Sequence, residues 1–226
     1  MAINLFNPNY YRLANPDLAN FNDAQAFNHS KKEDGFRFRS FKIQGVLNGS
    51  LEAAARCQFD IEGIPSWYMN VTEAKLLKRV SDTEYYFYFY VKMPFGVPHR
   101  DVVVRAKIQP YSTKTGFLAV SYTAVPDFIP SKAGVIRMPA YETTTKFTPI
   151  NENQTEEQLE GYVDPGGRVP SWAANFVQHS APYSVALGSL RMVKKDEYAK
   201  SNEPIPFPIY NYQDYLSKQL RGQLPQ

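Results

Sequence analysis

Glu84-Tyr85-Tyr86-Phe87-Tyr88-Phe89-Tyr90-Val91-Lys92 sets an unbroken aromatic run between two charged residues. Rings this dense suit a pleated strand, in which successive side chains point to opposite faces. Lys92 shares a side with Tyr86, Tyr88 and Tyr90 and marks the wet face, so Phe87, Phe89 and Val91 are expected to point inward. Pro94, Gly96 and Pro98 make residues 93–99 a loop. A second strand comes next over residues 101–109, with Arg105 and Lys107 on one side and Val102, Val104, Ala106 and Ile108 on the other. Thr115-Gly116 then turns the chain into a strand over residues 117–125, and residues 135–147 and 158–163 read as two more. The middle of the chain is therefore a run of about five antiparallel strands that hide one apolar face.

Upstream, Asn15, Pro16 and Asp17 open a helix over residues 18–28, with Leu18, Phe21 and Phe27 spaced for one face. Residues 36–46 alternate apolar with basic side chains as a half-exposed strand does, and the break at Ser40-Phe41 suggests a bulge. Ser50 caps a short Ala-rich helix, and Pro65 interrupts the segment between that helix and Trp67-Tyr68. Downstream, Asp164-Pro165-Gly166-Gly167 is a turn leading into the longest helical pattern. Its stripe is Trp172, Phe176, Tyr183, Leu187 and Leu190, with a kink expected at Pro182. Residues 201–226 carry four prolines and read as a surface strap or a disordered tail. These signals divide the chain into an N-terminal helical segment over 1–33, a main domain over 34–200 and a Pro-rich tail over 201–226.

Composition narrows the chemistry. The 226 residues carry 25 basic and 22 acidic side chains, a net charge of +3, without a basic run that could track phosphates, so nucleic acid is not an expected partner. Cys57 is the single cysteine, which excludes an internal disulfide and fits a reducing, cytoplasmic setting. It reads as a small buried hydrophobe. His29, His99 and His179 show no metal-ligand spacing, and no nucleophile elbow, dinucleotide fingerprint or phosphate loop occurs. No catalytic residue, metal or cofactor is assigned.

The resulting geometry, a sheet with one apolar face closed by one long helix, can be a solid core or a lined cavity. In the second case the lining would be Phe87, Phe89, Val91, Val102, Val104, Ala106 and Ile108 from the strands, with Trp172, Phe176, Tyr183 and Leu187 from the helix. The loop Met93, Pro94, Phe95, Gly96, Val97 and Pro98 reads as an apolar lid or as an ordinary connection packed on its own rings.

The stretch Lys92-Met93-Pro94-Phe95-Gly96-Val97-Pro98-His99-Arg100-Asp101-Val102-Val103 resembles the signature of START domains, lipid-transfer relatives of the steroidogenic acute regulatory protein within the Bet v 1-like helix-grip superfamily. Further matches occur in order: Asp34-Gly35, Leu51-Glu52-Ala53, Pro65 with Trp67, Pro126-Asp127, Gly134-Val135-Ile136-Arg137, and the stretch from Asp164 to Trp172. The resemblance implies an α+β helix-grip fold, a curved antiparallel sheet wrapped around a C-terminal helix. It also implies a tunnel for one lipid, fatty acid or sterol-like molecule, a gate at residues 93–98 and transient contact with membrane surfaces. Phe87 and Ala106 stand where some sterol-carrying members place an acid and a base, which removes that polar anchor. The alternative on the same fold is a polyketide cyclase or aromatase.

Overall fold

The computed structural model describes residues 27–31, 37–93, 96–170 and 181–210. Among them, strands β1 (Phe27–Lys31), β2 (Ser40–Leu47), β3 (Val71–Ser81), β4 (Glu84–Val91), β5 (Arg100–Gln109), β6 (Leu118–Ala124), β8 (Ala140–Asn151) and β9 (Gln154–Asp164) form an antiparallel sheet. Its order is β1-β2-β9-β8-β6-β5-β4-β3, and the two-residue β7 (Ile136–Arg137) adds a parallel pair to the start of β5. Helix α1 (Leu51–Phe59) and a single 3-10 turn (Ile64–Ser66) connect β2 to β3, and α2 (Ala181–Met192) and α3 (Asp196–Ala199) come after the sheet. The architecture is the expected α+β helix grip.

The aromatic run behaves as its alternation requires. Tyr85, Phe87, Phe89 and Val91 are buried on the inner face, while Tyr86 and Tyr90 are half-buried on the other. Tyr88 is an exception in burial only: it lies outward and is covered by Lys132, whose Nζ sits 4.6 Å from its ring centroid. The Ser50 hydroxyl accepts from the Ala53 amide at 3.2 Å, the N-cap that starts α1.

Several boundaries differ from the sequence expectation, each for a physical reason. Residues 1–26 lie outside the described residues, but Phe27 and Asn28, expected in a helix, pair with Gln44 and Ile43 as strand β1. The sheet thus begins before residue 34. The interruption at Ser40-Phe41 is the start of β2, whose pairing to β1 and β9 runs without a register shift. Strand β3 shows no clean alternation because it is an edge strand: Glu73, Lys75, Lys78 and Arg79 decorate it, and three register shifts break its pairing with β4. Charges and bulges are what protect an edge from pairing with other chains, and they also erase the period-2 signal. The expected strand 135–147 divides at Met138-Pro139 into β7 and β8.

Helix α2 packs on β2 and β9, and α1 packs on β8, β9 and α2. Gly188 of α2 permits a close approach, since a Cβ there would meet the Trp67 ring at 2.7 Å. Residues 171–180, including the expected stripe members Trp172 and Phe176, lie outside the described residues. Of the tail, the segment to Tyr210 is a strap: the Glu203 carbonyl accepts from Arg56 at 3.0 Å, and Phe207 packs edge-on against Phe59 at 5.3 Å.

Candidate functional site

A cavity of about 90 Å³ lies between the inner face of the sheet and the first turns of α2. It occupies the end of the sheet from which the 93–99 loop emerges. Phe89 and Val91 supply one wall from β4, Tyr141, Thr143 and Thr145 another from β8, and Leu159 and Val163 a third from β9. Ala181, Pro182, Ser184 and Val185 of α2 form the roof. Met93, Arg100, Met138 and Pro165 ring the loop end, and Tyr68 and Met69 enter from the segment after the 3-10 turn.

The polar atoms of this cavity are quiet at neutral pH. Burial pushes the Tyr68, Tyr122 and Tyr141 phenols above their ordinary pKa, so they stay protonated. The Tyr122 hydroxyl donates to Gln58 Oε1 at 3.1 Å. Arg100 is fully buried and donates from Nε to the Pro165 carbonyl at 3.3 Å and from one terminal nitrogen to Gly166 at 3.3 Å and Arg168 at 3.4 Å. Its other terminal nitrogen donates to the Pro98 carbonyl.

Of the residues expected as lining, Phe89 and Val91 border the cavity. Trp172 and Phe176 lie outside the described residues, and the remaining ones sit elsewhere. Val102, Val104 and Ala106 are fully buried in a sealed layer. Phe87 lies across from Val104 and packs on Phe89 and Tyr122, both with ring centroids at 6.0 Å, while Ala106 is in register between Tyr85 and Tyr122. Large rings and small residues thus fill this part of the inner face together. Alternation says which side chains face inward but not which inward side chains meet a void. Ile108 borders a different cleft of about 250 Å³ at the far end of the sheet, with Phe59, Tyr85 and Phe207. Tyr183 and Leu187 line a crevice of about 10 Å³ between α2, β2 and β9. In the expected gate, Met93 borders the cavity, Val97 packs against the core and Gly96 adopts φ of 71°. The Met93 amide donates to His99 Nδ1 at 2.9 Å, closing the loop on itself. Pro94 and Phe95 lie outside the described residues.

Sequence reasoning missed Tyr141, Thr143, Thr145 and Leu159. Part of their signal was present, since Leu159 stands between Gln158 and Glu160 and Tyr141 precedes Glu142, but Thr143-Thr144-Thr145 offers no contrast between the two faces. Glu157 on β9 continues that inner row beneath α2, where its carboxyl accepts from the Ser189 hydroxyl at 2.9 Å. Burial pushes its pKa up to about 8.

Comparison with known proteins supports the architecture. No protein-family model matches the chain. An uncharacterized protein of Pseudomonas aeruginosa is 28% identical over 175 residues, 73% of this chain and 85% of its own. The crystal structure of a STAR-related lipid transfer protein from Xanthomonas axonopodis aligns with TM-score 0.69 at 23% identity, covering 77% of this chain and 96% of that one. Human StAR-related lipid transfer protein 5 aligns with TM-score 0.64 at 19% identity, over 75% of this chain and 82% of its own. With its sheet, its packed C-terminal helix and its cavity in place, this chain has the helix-grip fold of a START domain.

Proposed function

We propose that the protein binds one apolar molecule, a lipid, fatty acid or sterol-like compound, in this cavity and carries it between membrane surfaces in the cytoplasm without changing it. The observation that carries the reading is the apolar cavity roofed by α2 and ringed at one end by Met93 and the loop it begins. Burying apolar cargo yields about 25 cal/mol per Å², so a few hundred Å² stabilise a complex by several kcal/mol before ordering costs. Ligand pockets span roughly 300–1,000 Å³, so the closed form must widen on loading. Met69, Met93 and Met138 suit that need, because unbranched thioether side chains re-pack at low cost. The likeness to lipid transfer proteins points the same way. Among the described residues that line the cavity there is no carboxylate or histidine to act as a base near neutrality, which favours carriage over a cyclase reaction.

Native mass spectrometry of purified protein, combined with solvent extraction, should recover one unmodified apolar molecule per chain. Conversion of that molecule over many turnovers would overturn the carrier reading.

Two substitutions probe the site itself. Ser184→Phe places a ring in the roof and should lower affinity for a fluorescent fatty acid or sterol about tenfold or more, with little change in Tm. Unchanged binding would place the cargo elsewhere. His99→Ala removes the acceptor that closes the 93–99 loop. Because a lid governs passage more than the bound state, probe exchange between vesicles should quicken severalfold while Kd moves less. Equal exchange rates would show that cargo does not pass that loop.

A further inference from the structure

Arg100 is unusual among cavity-lining residues in carrying a full charge at zero exposure. A guanidinium cannot shed its proton to escape such a site, and an ion in an apolar interior is tolerated when it is paired. The nearby carboxylates are engaged elsewhere. Asp101 takes Arg137 in a two-pronged pair at 2.8 and 3.1 Å, and Asp164 accepts from the Gly166 amide at 2.8 Å and from Arg37 at 3.4 Å. Burial pulls the Arg100 pKa down, and among the described residues its hydrogen bonds go to backbone carbonyls and none to a carboxylate. Residues 94–95 and 171–180, which adjoin the loop and the roof in sequence, contain no Asp or Glu.

In place of a carboxylate, Arg100 holds a set of carbonyls. Three of those contacts, to Pro165, Gly166 and Arg168, are 3.3 to 3.4 Å long, beyond the usual range for an N–H donor. A bond to an anion would be shorter and stronger. Pro165, which accepts from Nε, itself borders the cavity, so the guanidinium lies at that wall. Gly166 and Gly167, at φ of 69° and 60°, place the Gly166 carbonyl around the same group.

We propose that the cargo is an amphiphile with an anionic head, a carboxylate or a phosphate, which seats against Arg100 while its apolar tail lies along Phe89, Tyr141 and Leu159. The inference rests on the carrier reading and narrows it to a class of ligand. A neutral cargo leaves the buried charge without a counter-ion, whereas an anionic head neutralises it and exchanges long carbonyl contacts for short charge-assisted ones.

Three twelve-carbon probes separate the possibilities: dodecanoate, dodecyl phosphate and dodecanol, titrated calorimetrically into the unmodified protein at pH 7. At least one anion should bind tenfold or more tightly than the alcohol, and the stronger of the two identifies the head. Arg100→Lys keeps the charge but loses the fork, and should retain part of that preference. Because Arg100 also holds loops together, variants can fail to fold, and a second measurement leaves the residue intact. Dodecanoate labelled with carbon-13 at its carboxyl should titrate, when bound, below its value in water, since a cation beside a carboxylate favours ionisation. Equal binding of alcohol and anions, or a bound carboxyl that titrates above its value in water, overturns the inference. Should a neutral sterol bind while neither anion does, the inference falls and the carrier reading stands. Should no apolar ligand bind, both fall together.

Discussion

Ala106→Trp is expected to destabilise the protein by about 1–3 kcal/mol or more, the usual cost of overpacking a filled core. For a chain of this size that corresponds to roughly 2–4 °C of Tm per kcal/mol. The expectation comes from where Ala106 sits. It has no exposure, it lies in register between Tyr85 and Tyr122, and Phe87 packs against both neighbouring rings. An indole has no space to enter. Its effect on ligand binding should be secondary, visible after correction for the unfolded fraction. Thermal unfolding with and without a fluorescent fatty acid checks this. A variant as stable as the parent that has lost binding would put the side chain on the cavity wall after all.

The second large effect concerns pH and Glu157. In an unfolded chain a glutamate ionises near 4.3, whereas burial lets Glu157 keep its proton up to about 8. Between those values the folded protein binds more protons than the unfolded chain. Stability attributable to this group must therefore fall as pH rises, by at most about 1.4 kcal/mol per pH unit, and level off above pH 8. Glu157→Gln keeps an oxygen to accept from Ser189 and removes the titration. The variant should have the flatter profile, match the parent near pH 4 and exceed it by several kcal/mol at pH 8. Urea midpoints at intervals from pH 4 to 8.5 test it. Parallel profiles would show that Glu157 ionises normally and that α2 does not seal it.

Much of the sheet was legible because β4 and β5 have two chemically distinct faces. Tyr85 to Val91 alternate with a lysine at the end, and Val102 to Ile108 alternate with Arg105 and Lys107, so parity alone assigns the inner side. The cap at Ser50 was equally local. Strand β3 was not legible, since an edge strand is written in charges and bulges. Strand β1 was obscured because a spacing that suits a helix also ends on residues that the sheet recruits.

The cavity is a different kind of fact. Chain order and side-chain chemistry determined that an apolar face exists, that residues 93–99 must be a loop and that a helix closes the sheet. They could not determine whether the inner face meets rings or empty space, because that depends on the sizes of residues brought together from distant strands. Val104 is fully buried across from Phe87, whereas Phe89, on the same row, borders a void. Arg100 makes the point most sharply. In the sequence it is one cation before an aspartate that could pair with it, but the fold gives Asp101 to Arg137 and leaves Arg100 among carbonyls. Pairing in a buried network is decided by which groups packing brings within bonding reach, and a linear chain does not record that distance.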